Sequence, residues 1–185
     1  MIISPNDSKT YQSLTLDNGL RVILIHDAHS EKSAASLTVN CGHFDDPFER
    51  QGMAHFLEHM VFLGTQNNPE PASFPQFISQ HGGSHNAWTA TEFTSYFFDI
   101  NNADFNTALS HFSEFFSQPL LAEAYIEKER HAIDAEYKLK LKEDSHRIYQ
   151  VHRETINPLH PFSKFSVGNN QTLEDRNGVS IRQEL

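Results

Sequence analysis

Three residues, His55, Glu58 and His59, are spaced so that their side chains can meet at one metal ion. On a helix, residues four apart share a face, and the third position lies beside them. A catalytic zinc site needs ligands such as two neutral imidazoles, together with a carboxylate that acts as general base. The pattern therefore predicts a metal-dependent hydrolytic site. The alternative is an ordinary helix in a chain that contains 12 histidines.

The segment around these residues is predicted to be a helix over about 51–63, which ends before Gly64. Apolar side chains wrap most of its surface, so we expect it to be largely buried. These side chains are Met53, Phe56, Leu57, Met60, Val61 and Phe62. Polar groups on a buried helix cost free energy unless they find partners. Metal coordination is one solution, and hydrogen bonds to the backbone are the other.

A zinc site with two histidines needs a third protein ligand. A highly charged helix predicted over 122–156 offers acidic candidates, namely Glu123, Glu127, Glu129, Glu136 and Glu143. The last three are spaced by seven residues and share nearly one helix face. The spacing does not choose among them, because acidic residues interleaved with lysines usually form a solvated, ion-paired face.

The rest of the chain shows strand and helix patterns in alternation. A β-hairpin is predicted over 12–26, with its turn at Asp17-Asn18-Gly19. Ser180 and Gln183 resemble a capping box at the start of a helix. Further strands are predicted over 33–40, 84–90 and 92–100, further helices over 73–80 and 102–117, and an extended loop over 157–178.

Length, charge and cysteine content limit the function. The 185 residues fit a single domain, and the net charge of −10 argues against a nucleic-acid partner. Cys41 is the only cysteine, so no internal disulfide forms. Residues 1–7 lack the features of a signal peptide, and no apolar run is long enough to span a membrane. We therefore predict a cytoplasmic protein, or a periplasmic one if a signal has been removed.

Four segments together resemble the insulysin/pitrilysin family of inverzincin metallopeptidases, which carry the order His-x-x-Glu-His. The segments are 55–59, 81–89, 129–136 and 160–165. They occur in the order found in the family, and Glu136 lies 77 positions after His59. The resemblance covers residues from about 14 to 185, nearly the whole chain.

The resemblance implies that His55, His59 and Glu136 bind Zn²⁺ and that Glu58 is the general base. Glu129 matches a second acidic position of the family, which supports the site without binding the metal.

The resemblance also implies a substrate site and a fold. Asn86 and Ala87 match the edge strand along which substrate lies; the alternative is an ordinary strand with Trp88 in the core. The expected fold is α+β, mostly antiparallel sheet with helices packed on one face. Residues 1–185 would form a single N-terminal catalytic domain, cut short at its C-terminus, of a larger peptidase.

The expected activity is zinc-dependent cleavage of peptides or small unfolded polypeptides. In the family the C-terminal half of the same protein completes the active site, so we expect the 185-residue chain alone to have little or no activity. S-ribosylhomocysteine lyases carry a similar motif, but they need a downstream cysteine ligand, and no cysteine follows Cys41. A non-catalytic relative is the remaining alternative, although all the expected metal ligands are present.

Overall fold

Residues 3–185 of the chain form two small antiparallel sheets and six α-helices in the computed structural model. Met1 and Ile2 lie outside the described residues. They are the first residues of the predicted domain 1–185 and of the N-terminal segment that lacks signal-peptide features. The predicted α+β class with antiparallel strands is confirmed. The strands are divided between two sheets, which the sequence pattern does not reveal.

The first sheet is the predicted hairpin, formed by β1 (Thr10–Thr15) and β2 (Arg21–His26). Its turn has Gly19 at φ +86°, a conformation that favours glycine. The side chain of Asn18 accepts a hydrogen bond from the backbone of Leu20, which closes the turn.

The second sheet has the order β3–β5–β4, with β5 (Thr94–Asn101) in the centre. Its neighbours β3 (Lys32–Val39) and β4 (Ser84–Thr89) are both antiparallel to it. Aromatic side chains of β5 alternate between the two faces, so one face builds the core. Within residues 3–185, β4 pairs with a strand on one side only, and its other edge is free.

Three helices surround this core: α1 (Met53–Val61), α2 (Ser73–Gln80) and α3 (Phe105–Ser117). A short 3-10 turn, Asn102–Asp104, precedes α3. Aromatic rings of α2, α3 and the sheet fill the space between them. They include Phe74, Phe98, Phe112 and Phe115, all nearly fully buried.

The helix predicted over 122–156 is two helices, α4 (Glu123–Lys140) and α5 (Asp144–Thr155), so the prediction of one continuous helix is wrong. The backbone N–H groups of Lys142 and Glu143 donate hydrogen bonds to the carbonyls of the residues three positions earlier, and the backbone of Glu143 is extended. This turn redirects α5 and ends the α4 helix one turn after Glu136.

A second core joins α1 to α4. Phe56 and Met60 of α1 are fully buried against Ile126 and Ile133 of α4. Because the two helices pack directly, the polar face of α1 lies opposite the acidic face of α4. The predicted capping box is confirmed at Ser180, which begins the short helix α6 (Ile181–Glu184). None of the helices in residues 3–185 has the length and apolar content needed to cross a membrane.

Candidate metal centre

Hydrogen bonds to Asp46 hold the loop from which helix α1 starts, just ahead of His55 in the sequence. The carboxylate of Asp46 accepts hydrogen bonds from the backbone N–H groups of Gly52 (2.7 Å) and Ala54 (2.8 Å). These are donors that a helix N-terminus leaves without an intrahelical partner. Gly52 has φ +93°, and a Cβ there would lie 2.2 Å from Cα of Gly168. The helix start and the segment at Gly168 are therefore in direct backbone contact.

Two imidazoles from α1 and one carboxylate from α4 converge. Nε2 of His55 lies 3.2 Å from Nε2 of His59. Oε2 of Glu136 lies 3.7 Å from the first of these nitrogens and 3.8 Å from the second. Among residues 3–185, this trio is the group of side chains whose donor atoms are placed to hold a metal ion.

Two of the other acidic candidates, Glu127 and Glu143, are engaged away from the imidazoles. Glu127 pairs with Arg130 and His131 on the exposed side of the helix. Glu143 lies in the turn after α4 and pairs with His146. Glu129 contacts Nδ1 of His59, so Glu136 is the candidate that the packing of α1 on α4 brings to both Nε2 atoms. The seven-residue spacing alone could not decide this.

Each imidazole is oriented through its second ring nitrogen. Nδ1 of His55 donates to the carbonyl of Val167 at 2.6 Å, and Nδ1 of His59 donates to Oε1 of Glu129 at 2.7 Å. Because Nδ1 carries the proton in both rings, both Nε2 lone pairs face the same point. Such an arrangement is favourable only when a cation, either a proton or a metal ion, lies between the two nitrogens.

The pKa shifts agree with this geometry. Burial lowers the pKa of His55, and the charge of His59 adds to the effect. Burial acts in the same direction on His59, but the hydrogen bond and charge of Glu129 raise its pKa overall. Burial also acts to raise the pKa of Glu136, but its hydrogen bond to Lys140 and the nearby imidazoles lower it overall. The two imidazoles therefore shift in opposite directions, so His59 takes up a proton more readily than His55, and a metal ion would compete with that proton.

The donor set fits zinc. Two nitrogens bound to a tetrahedral zinc at about 2.05 Å are about 3.3 Å apart. The observed separation of the two Nε2 atoms is 3.2 Å. Two histidines and one carboxylate are also a ligand set that catalytic zinc sites use, with one position left open for water.

Glu58 lies on α1 between the two histidines and is 8% exposed. Its Oε2 accepts a hydrogen bond from the hydroxyl of Thr89, the last residue of β4, at 2.5 Å. It is outside the group of converging donor atoms. The carboxylate is therefore near the site and anchored to the sheet.

The two expected substrate-binding residues lie on β4. Asn86 is exposed, whereas Ala87 is half-buried and packs against the core. They pair with Phe97 and Tyr96 of β5. The alternative reading, which placed Trp88 in the core, is wrong: its side chain is 52% exposed and contacts Phe97 on the outer face of the sheet.

Sequence reasoning missed three partners of the site: Val167, Thr89 and Lys140. Val167 contributes a backbone carbonyl, so its residue type gives no signal. Thr89 closes one of the four family-like segments, but no spacing rule links it to Glu58. Lys140 is spaced four residues after Glu136 and forms an ion pair with it at 2.5 Å, a spacing that could have indicated the contact.

Comparison with known proteins places this chain in a wider context. The model of the family described as "Insulinase (Peptidase family M16)" matches residues 21–159. Human insulin-degrading enzyme is 43% identical over 185 residues, covering 98% of this chain and 18% of the relative. Protease 3 of Escherichia coli K12 is 41% identical over 182 residues, covering 98% and 19%. The crystal structure of pitrilysin superposes with a TM-score of 0.93 at 40% identity, covering 98% of this chain and 19% of that one.

Proposed function

The chain belongs to the insulinase family of peptidases (peptidase family M16), and from this premise we propose that it is the catalytic metal-binding domain of a zinc-dependent endopeptidase. One observation carries the proposal. The Nε2 atoms of His55 and His59 lie 3.2 Å apart, and a carboxylate oxygen of Glu136, from another helix, lies within 3.8 Å of both. The family resemblance implies the same three residues as ligands, which supports the proposal.

In this proposal His55, His59 and Glu136 hold the zinc ion. Zinc, when bound, supplies a Lewis acid that lowers the pKa of a water molecule and polarises the peptide carbonyl. Glu129 keeps His59 in the tautomer that presents Nε2 to the metal, through the 2.7 Å hydrogen bond to Nδ1. The carbonyl of Val167 does the same for His55.

Glu58 is the general base. Its carboxylate accepts the proton of the attacking water and passes it to the amine of the leaving group. It does not serve as a fourth ligand, because a fourth protein ligand would close the position that water needs. Its separation from the converging donor atoms supports this division of roles.

Substrate adds as a strand beside β4, where Asn86 and Ala87 present an edge that has no partner strand within residues 3–185. Backbone hydrogen bonds along such an edge give affinity without demanding a particular sequence. We therefore expect loose side-chain preference and a requirement for extended or unfolded peptides.

The chain spans about a fifth of the length of the curated relatives that it matches. We propose that residues 1–185 are the N-terminal catalytic domain of a longer peptidase and that the C-terminal half completes its active site. The isolated chain would then bind zinc but cleave peptides slowly or not at all. Its location in the cytoplasm stays a prediction from the sequence.

Two variants test the proposal. In the full-length protein, Glu58→Gln should retain one zinc per chain and lose turnover, whereas His55→Ala should lose the metal. Metal analysis of the purified proteins and hydrolysis of an unstructured peptide measure the two effects separately. A Glu58→Gln variant that cleaves near the wild-type rate would refute the assignment of the base. A wild-type protein that binds no metal would favour the non-catalytic scaffold instead.

A further inference from the structure

The side-chain hydrogen bond of Glu58 within residues 3–185 comes from the end of β4. The hydroxyl of Thr89 donates to Oε2 of Glu58 at 2.5 Å, across 31 residues of sequence. Within residues 3–185, no hydrogen bond is made to the other carboxylate oxygen, Oε1. A carboxylate that is held by one oxygen presents the other in a fixed direction.

Thr89 is itself held in place. It faces Thr94 in the register of β4 and β5, and the next residue, Ala90, donates from its backbone to the carbonyl of Phe93 to close the turn. The hydroxyl of Thr94 donates to the carbonyl of Cys41 at 2.8 Å. The carbonyl of Ala90 accepts hydrogen bonds from both the backbone and the ring of His43. The loop before α1 and the end of β4 are thus one connected unit.

Burial makes the contact important. Glu58 is 8% exposed, so it cannot turn freely to water when its partner is removed. A buried carboxylate without a donor costs more free energy than the hydrogen bond itself contributes, and it adopts other rotamers to find one. The single hydroxyl at this point therefore selects the rotamer.

We propose that Thr89 is a positioning residue for the reaction: it holds Glu58 so that Oε1 faces the attacking water. Because Thr89 ends the strand on which Asn86 and Ala87 lie, the element that receives substrate also orients the base. This inference rests on the proposed function, since it needs Glu58 to act as the base.

The alternative is a purely structural hydroxyl, which would affect folding and not turnover. The two roles differ in what a substitution changes. A positioning role lowers kcat and leaves KM and zinc content nearly unchanged. A structural role lowers thermal stability and leaves kcat of the folded enzyme unchanged.

The experiment compares Thr89→Val, which keeps the shape and removes the donor, with Thr89→Ser, which keeps the donor. The matched control is Thr38→Val on β3, whose hydroxyl contacts Ser95 in the same sheet but not the site. In the full-length protein, kcat of Thr89→Val should fall about 10- to 100-fold, the effect of losing a hydrogen bond to a charged group. KM should stay within about twofold, and Thr89→Ser should recover most of the rate.

Glu58→Gln is measured beside these variants to separate two failures. If it abolishes turnover and Thr89→Val keeps the wild-type kcat, the inference on Thr89 is wrong and the proposed function stands. If Glu58→Gln itself turns over normally, the proposed function fails first. Should Thr89→Val lose zinc or stability, Thr89→Cys, with a similar size and a weak donor, replaces it. Its kcat should lie between those of the serine variant and Glu58→Gln, and a wild-type kcat would overturn the inference.

Discussion

Oε1 of Glu129 accepts a hydrogen bond from Nδ1 of His59 at 2.7 Å, and Nε2 of the same ring faces His55 and Glu136. The contact joins α1 to α4 at the site itself. Partners of this kind fix both the tautomer and the orientation of a metal-binding histidine, and their loss typically costs 10- to 100-fold in metal affinity.

We therefore expect Glu129→Leu to weaken zinc binding about 10- to 100-fold while leaving the stoichiometry at one ion when zinc is in excess. Glu129→Gln should lose less, because its amide oxygen still accepts from Nδ1. Competition with a chromophoric chelator measures the affinities. Glu127→Leu, on the exposed side of the same helix, is the control. Equal affinities for Glu129→Leu and the control would exclude the orienting role.

Zinc should stabilise the 185-residue chain itself. At 100 times its dissociation constant, a ligand that binds the folded state alone adds about 2.7 kcal/mol, which corresponds to about 5–10 °C in Tm for a domain of this size. Glu136→Gln should abolish most of this shift. Glu143→Gln, seven residues further on and outside the site, should retain it. Thermal unfolding with and without zinc measures the effect, and a shift that persists in Glu136→Gln would place the metal elsewhere.

His43 should make stability depend on pH. Burial, helped by Arg153 and Lys164, lowers its pKa to about 4 from an ordinary 6.5. The unfolded chain therefore binds a proton at a higher pH than the folded chain does. The free energy of unfolding should fall as pH drops from about 6.5 to 4, by at most about 3 kcal/mol from this residue.

The comparison is with His43→Asn, measured by urea unfolding at each pH. The variant should be less stable than the wild type at neutral pH, but its free energy of unfolding should depend less on pH between about 6.5 and 4. Asp46, whose pKa is raised to about 6 by burial, acts in the opposite direction over part of the same range. It is common to both proteins, so the difference between them isolates His43. Parallel curves would show that the imidazole does not cause the slope.

The contact between Gly52 and Gly168 should tolerate no side chain. Gly52→Ala places a Cβ 2.2 Å from the backbone of Gly168 and adds strain at φ +93°, so we expect a loss of about 2–5 kcal/mol and weaker zinc binding. Gly178→Ala is the control. It has φ +77° but open space around its Cβ, and should cost only about 1–2 kcal/mol. Chemical denaturation measures the free energy of unfolding of both variants. Equal losses of stability would show that the positive φ, and not the close approach to Gly168, accounts for the effect at Gly52.

The sequence predicts local features of this fold well. The turn at Asp17-Asn18-Gly19 and the capping box at Ser180 depend on side chains that contact their own neighbours in sequence. The break between α4 and α5 escaped prediction, because good helix formers (Leu, Lys and Glu) continue through residues 141–143 and no proline or glycine marks the turn. The one buried residue of α5 is Arg153, which donates to the carbonyl of Lys164, and a local pattern does not carry information on such tertiary contacts.

In the candidate metal site, too, local spacing predicts some features, and tertiary packing decides the others. The four-residue spacing of His55 and His59 already places them on one helix face. The choice of Glu136 over Glu129 and Glu143 needed either the resemblance or the packing of α1 on α4. The carbonyl of Val167 was beyond any pattern, because a backbone group leaves no mark in the residue type.

The hydrogen bond from His55 to Val167 spans 112 residues. At synthesis rates of about 5–20 residues per second, the imidazole pair leaves the ribosome roughly 6–22 s before the carbonyl that orients it. During that interval the nascent chain presents both histidines without the carbonyl partner, and for the earlier part of it without Glu129 and Glu136 as well. A transition metal met then would encounter a site that has not yet acquired its geometry. If the chain binds zinc as proposed, its metallation would depend on timing during biogenesis as well as on affinity in the finished protein.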